Sequence, residues 1–398
     1  MSAVPATPSR AASNGYLAQR WREWAITVAA FVLALLVGAV LMVVADPQVI
    51  GNFAYLFTAP HLALGAAWAK VSGAYAALVI GAVGSPQALA LTTAKAAPLI
   101  CAGLGVGLGF RSGLFNIGAQ GQAIWGAAIA AYIGFTFRLP YGLHLALAVA
   151  GGLAAGAIWG GIVGWLKAKT GAHEVIVTIM MNYIAAGLLA WLLTTTAFIR
   201  PGREDPISPE VQTTATLPAF YGQFHLGFLL ALVAAAAVWW LLERSTTGFA
   251  IRAVGANPHA AATAGMSVAR TTVIAMTLAG GLAGLAGVQA ALGPSASGVP
   301  VPLTLDLVGT VGFDAITVAL LGRSRPVGIV FAGLLFGGLD AGGLAMQSMV
   351  QTPLTLTMVL QAVVVLFVAA PALVTTLIPF LKQRRPEVAA ASLTGGQP

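Results

Sequence analysis

Ten apolar stretches of membrane-spanning length follow one another through this chain, and they leave almost no sequence from which a water-soluble surface could be built. A hydrocarbon core about 30 Å thick is crossed by about 20 residues of helix. On that ruler the spans fall at 24–45, 88–110, 117–137, 143–166, 173–197, 226–243, 271–292, 307–322, 326–345 and 354–380. Charged residues make up only 8% of the sequence and hydrophobic ones 59%, whereas soluble domains carry about 25% charged residues. The expected fold class is therefore all-α, a polytopic membrane helix bundle. The segment 62–84 is apolar but holds Lys70, Ser72 and several small residues, and reads as an interfacial or re-entrant helix.

The ends of the chain frame this membrane domain, which covers 24–380. Residues 1–23, rich in Ala, Ser and Pro, read as a disordered tail, and 381–398 as a second tail. The first apolar run is longer than the roughly 7–15 residues of a signal-peptide core and lacks a small-residue cleavage pattern before Asp46, so it reads as a retained span.

Charge placement sets the expected orientation. With the N-terminus inside, the inner segments hold Arg10, Arg20, Arg22, Arg111, Lys167, Lys169, Arg244, Arg252, Arg270, Arg323, Arg325, Lys382, Arg384 and Arg385. The outer segments hold Lys70, Arg138, Arg200 and Arg203, fourteen basic residues against four. The positive-inside rule selects this layout, with both termini cytoplasmic. The net charge of +8 is thus spent on topology rather than on binding nucleic acid. Counting 62–84 as a crossing would invert everything after it.

Several motifs are absent. No GxxxxGK[ST] loop is present to cradle nucleotide phosphates, and no HExxH, Cys/His cluster or GxSxG supplies a metal or hydrolase centre. The single cysteine, Cys101, permits no disulfide within the chain, and the five histidines are dispersed. Neither a catalytic residue nor a metal site is expected. Gly152, Gly156, Gly160 and Gly164 repeat every four residues, as do Gly333 and Gly337, which suits close helix packing in lipid.

Two segments are unlike ordinary spans. In Gly109–Gln122 a glycine-rich helix loosens into a turn, and a second helix starts near Asn116. Asn116, Gln120 and Gln122 there either satisfy the turn, with Asn116 as an N-cap, or line a polar pore. In Gly312–Arg323 a short apolar stretch follows the Pro/Gly/Ser-rich Gly293–Pro302. Such interrupted segments at matching places in two halves mark the pathway of many transporters. Both lie early in a block of four spans, the second to fifth and the seventh to tenth, which suggests a duplicated architecture.

Other polar groups inside apolar sequence are candidates by the cost of burying them in lipid. These are Asp314 (beside Phe313), Asp340 and Lys95, the last also able to snorkel to the interface. Glu174, Thr178 and Asn182 form a stripe at four-residue spacing; Asn182, beside Tyr183, serves either as interhelical glue or as a pore ligand. The loop 244–270 is the longest inner connection. Within it Asn257 is a good N-cap, Pro258 fits a first helical turn, and Gly265 stops the helix. A helix this short is marginal alone in water and calls for a docking surface, either a cytoplasmic partner or the bundle itself.

At these residues the chain resembles the permeases of bacterial ABC uptake systems for nucleosides and simple sugars, within the group that includes ribose-type and branched-chain amino-acid permeases. The resemblance rests on Gly113–Gln122, Glu174–Ile184, Gly248–Gly265 and Gly312–Gly322, in that order. It covers most of residues 90–345, and the overall length is similar to the longer of two paired permeases. The family frequently has Glu where this chain has Gln120. The resemblance implies a chain that takes no cofactor and lies in the bacterial inner membrane. ATP would be hydrolysed by separate cytoplasmic ATPase subunits, a periplasmic or lipid-anchored binding protein would deliver substrate, and a second permease subunit would complete the pathway. It also implies that Asn116, Gln120, Gln122 and Asn182 line that pathway, with Thr178, Tyr183, Phe313 and Asp314 alongside. Arg252, Gly255, Asn257, Pro258, Ala261 and Gly265 would belong to a coupling helix seated on the ATPase. The competing reading is an ion- or proton-coupled secondary transporter that uses Asp314, Asp340 and Lys95.

Overall fold

The computed structural model describes residues 10–378. In chain order its helices are α1 (Arg10–Ala45), α2 (Pro47–Phe53), α3 (Pro60–Val83), α4 (Pro86–Arg111), α5 (Ala119–Thr136), α6 (Leu143–Thr170), α7 (Glu174–Leu192) and α8 (Leu226–Arg244). They continue with α9 (Thr246–Ala256), α10 (Pro258–Thr263), α11 (Val268–Leu292), α12 (Val311–Leu321), α13 (Pro326–Val350), α14 (Leu354–Ala369) and α15 (Pro371–Leu377). A small antiparallel hairpin, β1 (Ala219–Tyr221) and β2 (Phe224–His225), pairs Ala219 with His225 in the loop before α8. The fold is an all-α polytopic membrane bundle.

Eight helices are long and apolar enough to cross a membrane: α1, α3, α4, α6, α7, α8, α11 and α13. Three of the ten expected spans fall short of that length or hydropathy, each for a local reason. The span expected at 307–322 is only an eleven-residue helix, α12, about 16 Å long, because the chain before it is not helical. The span expected at 354–380 breaks at Pro371, which lacks the N–H an unbroken helix would use, and its last two residues lie outside the described ones. Finally, α5 is buried on most of its residues, and a helix walled in by protein need not be lipophilic.

Residues 62–84, read as interfacial or re-entrant, form the uninterrupted α3, one of the eight. Its packing nevertheless gives no extra crossing. The Lys70 ammonium pairs with Asp46 at 2.7 Å and donates to the carbonyl of Val350 at 3.2 Å, while Ala82, near the other end of α3, lies against Gly338. Along α4, Ala96 meets Gly337, Ile100 meets Gly333, and Gly107 meets Ile329. Thus α3 and α4 run in the same sense along α13, α3 beside its second half and α4 beside its first.

The tail also differs from expectation. Residues 10–23 continue α1 as helix rather than forming a disordered segment. Once the apolar part of α1 has nucleated, each added residue gains a backbone hydrogen bond, and Ala, Leu, Gln, Arg and Glu are good helix formers. Residues 1–9 and the tail 381–398 lie outside the described residues.

The expected duplication is visible in the packing. In sequence order α4, α5, α6 and α7 correspond to α11, α12, α13 and α14. The packing respects this correspondence: α6 lies on α11 as α13 lies on α4, and α5 lies on α11 as α12 lies on α4. The two lead helices, α4 and α11, pack antiparallel, with Cys101 beside Gln289 and Gly105 beside Ala279. The two groups are therefore related by inversion. The glycine repeat on α6 faces α11: a Cβ on Gly156 would lie 2.4 Å from the Gly280 carbonyl oxygen, and one on Gly160 2.4 Å from that of Met276. Both would clash with backbone that cannot give way.

Candidate functional site

The inversion brings the starts of α5 and α12 together at the centre of the bundle. Before α5 the chain turns at Gly113 (φ +73), and the Asn116 carboxamide closes the turn by accepting from the Gly118 N–H at 3.0 Å. The Asn116 Nδ2 also donates to Gln122 Oε1 at 3.1 Å, and Gln122 Nε2 returns a bond of 3.3 Å. Asn182 of α7 holds this start from the side, its Oδ1 accepting from Gly121 N–H at 2.8 Å and its Nδ2 donating to the carbonyl of Ile117 at 2.9 Å. Of the two readings of Asn182, the structure places it as glue between α7 and the start of α5.

Gln120 reaches across to the other half. Its Nε2 donates to the carbonyl of Gly309 at 2.6 Å, and its Oε1 accepts from the N–H of Gly312 at 2.8 Å. Gly309 has a positive φ of +54, and a Cβ on Gly312 would sit 2.2 Å from the backbone nitrogen of Gln120. Glycine is therefore required at both places, once for conformation and once for close approach. One side chain thus clamps the turn that opens α12.

The four amides expected to line a polar path are all buried, and they spend their hydrogen-bonding capacity within the protein. Thr178 is fully buried against Gly118, its hydroxyl donating to the Val175 carbonyl. Tyr183 and Phe313 are exposed at 72% and 48% and stand apart from this seam. Asp314 accepts from the Thr310 hydroxyl at 2.7 Å, and Asp340 from Gln361 Nε2 at 2.7 Å. Asp340 lies within electrostatic reach of both Asp314 and Lys95. Sequence reading missed Gly309 and Gln361; the four-residue spacing of Thr310 and Asp314 was the available signal for a side-chain hydrogen bond across the first turn of α12.

The loop 244–270 holds two helices where one was expected. The first, α9, is capped by Ser245 and packs on the bundle, with Gly255 so close to the end of α4 that a Cβ would lie 2.2 Å from the Arg111 carbonyl oxygen. Arg252 is held by Glu243 at 2.9 Å. In α10 the Asn257 side chain accepts from the N–H groups of His259 and Ala260, Pro258 occupies the first turn, and Gly265 leaves the helix at φ +83. Ala261 is buried, whereas Pro258, His259, Ala262 and Thr263 are exposed. Gly255 and Ala261 are thus packing residues, and α10 keeps an exposed face. Arg111 also donates to the carbonyl of Ser324 at 3.1 Å, tying the turn before α13 to this end of the bundle.

A multi-pass bundle of two inverted helix groups, with two interrupted helices meeting at its centre, is the architecture of a membrane transport protein. Residues 88–369 match the family described as the permease component of the branched-chain amino acid transport system, and the chain belongs to that family. It is 37% identical over 308 residues to the guanosine ABC transporter permease protein NupP of Bacillus subtilis, covering 76% of this chain and 86% of the relative. It is 31% identical to the nucleoside ABC transporter permease protein NupB of Lactococcus lactis, covering 77% and 86%. The glucose ABC transporter permease protein TsgB13 of Haloferax volcanii is also 31% identical, covering 74% and 79%. No solved structure matches the chain. The chain is a membrane-spanning permease component of ABC transport systems.

Proposed function

We propose that the chain forms half of the translocation pathway of an importer for nucleosides or related simple sugars, and that separate ATPase subunits drive it. The observation that carries this reading is the Gln120 clamp on Gly309 and Gly312, which joins the two inverted groups at their interrupted helices. The nucleoside and glucose systems named for the relatives support the substrate class. The exposed face of α10 is the surface on which an ATPase would seat. A periplasmic or lipid-anchored binding protein would deliver substrate at the opposite end, and a second permease subunit would complete the path. The chain itself binds no cofactor and does not hydrolyse ATP.

Arg111, Lys167, Lys169, Arg244, Arg252, Arg270, Arg323 and Arg325 belong to the α9–α10 end of the bundle, which supports that end and both termini as cytoplasmic, in the inner membrane. Uptake of labelled guanosine, uridine and glucose by cells expressing the chain with and without its ATPase tests the reading. Uptake should require the ATPase and survive a protonophore that leaves ATP intact. Transport by the chain alone, driven by an ion gradient, would instead favour coupling through Asp314, Asp340 and Lys95.

A further inference from the structure

A cavity of about 770 Å³ opens where the α3–α4 junction, the second half of α13 and the loops around Gln223 and Ser297 come together, at the end of the bundle opposite α10. Its polar lining is Ser85, Gln87, Gln223, Ser295, Ser297 and Ser348, and none of its lining residues is charged. Its volume lies in the range of small-molecule sites, and it is distinct from the saturated amide seam at Gln120.

Charged groups lie one helical turn further along two of its walls. Leu91 of α4 and Leu344 of α13 belong to its wall. Residues four apart share a helix face, so Lys95 follows Leu91 on one wall and Asp340 precedes Leu344 on the other. Because α4 and α13 are antiparallel, both steps lead in the same direction, toward the centre of the bundle. Asp340 lies within electrostatic reach of both Lys95 and Asp314. Lys95 is exposed, and among the described residues its ammonium has no hydrogen bond or ion pair. Asp340 uses one carboxyl oxygen on Gln361, and Asp314 one on Thr310.

We propose that this cavity and its floor, Lys95, Asp340 and Asp314, are the substrate entry site of the permease, built for a neutral ring solute with neighbouring hydroxyls. Hydroxyls and amides on the walls can each give and take hydrogen bonds with such a solute. The carboxyl oxygens not used internally accept from a vicinal diol, and the ammonium donates to a ring or carbonyl oxygen. A ribose in a nucleoside and a hexose both offer this chemistry. The inference rests on the proposed substrate class but assigns recognition to residues outside the central seam.

The test uses the assembled transporter with its ATPase and binding protein. Native Cys101 is buried, so a cysteine introduced as Ser297→Cys or Ser348→Cys can be labelled selectively by an impermeant thiol reagent. Guanosine, uridine or glucose at saturating concentration should slow that labelling, and whichever protects identifies the ring carried. Lys95→Met and Asp340→Asn should raise the half-saturation concentration for uptake by roughly 10-fold or more, the scale of a hydrogen bond to a charged group, while membrane insertion and ATPase association stay intact. A wild-type complex that carries none of the three solutes would sink the substrate class itself. A wild-type complex that transports, with cysteines labelled equally with and without solute and half-saturation unchanged in both charge variants, would overturn the entry site alone.

Discussion

Gln120 both gives and takes a hydrogen bond across the centre of the bundle, to the Gly309 carbonyl and from the Gly312 N–H. An amide does both at neutral pH, whereas an ionised carboxylate only accepts. This is a physical reason for glutamine at this position. Gln120→Glu should set a carboxylate against the Gly309 carbonyl oxygen, while Gln120→Leu should leave both backbone groups unmet. A buried group left without its partner costs about 1–3 kcal/mol. Both variants should therefore lose roughly 5- to 150-fold in uptake, with the membrane-inserted amount little changed. Wild-type uptake by both would mean the clamp plays no part in transport. Asn116 and Gln122 were legible as polar residues at a helix break, but their mutual pairing was not, because it needs the turn from Asn116 to Gly118 to lead directly into α5.

At the scale of elements, the loop after α8 separates packing from surface. Gly255 lies against the Arg111 carbonyl and Ala261 is buried, so tryptophan at either place should damage folding first. The informative changes lie on the exposed face of α10. His259→Trp and Ala262→Trp should leave insertion and thermal stability unchanged while weakening ATPase association and uptake, as read by pull-down and transport. Lys169→Ala, on the exposed end of α6, should leave both intact. Equal association of all three variants with the ATPase would remove α10 from the docking surface. The caps of α10 were readable from Asn257, Pro258 and Gly265, since capping is local. The packing of α9 was not, since its contact at Arg111 lies far away in sequence.

At the scale of the whole molecule, the two groups α4–α7 and α11–α14 interlock, each lead helix packing against helices of the other group. Neither group should fold alone, because the glycine faces of α6 and α13 have their partners in the opposite group. The shared direction of α3 and α4 along α13 makes a definite topological prediction. Single cysteines at Asp205 and Ser297 should both react with an impermeant reagent from the periplasmic side, and one at Ala262 only after permeabilisation. Labelling of both 205 and 297 only after permeabilisation, with 262 labelled from the periplasmic side, would show that the direction assigned to α3 is wrong.

The sequence by itself determined that this is a helical membrane bundle, where its interruptions fall, which glycines pack helices, and which loop is capped at Asn257. Each of these follows from composition, period or a motif a few residues long, which the chain carries whatever its neighbours do. Only the tertiary structure decided that α12 is half a span and that the central amides are consumed in holding two helix starts together. It alone brought Leu91 and Leu344 to the wall of one cavity. Those outcomes depend on which helices become neighbours, at the central amides across 61 to 192 residues, and burial and hydrogen-bond satisfaction are properties of such pairs rather than of any segment.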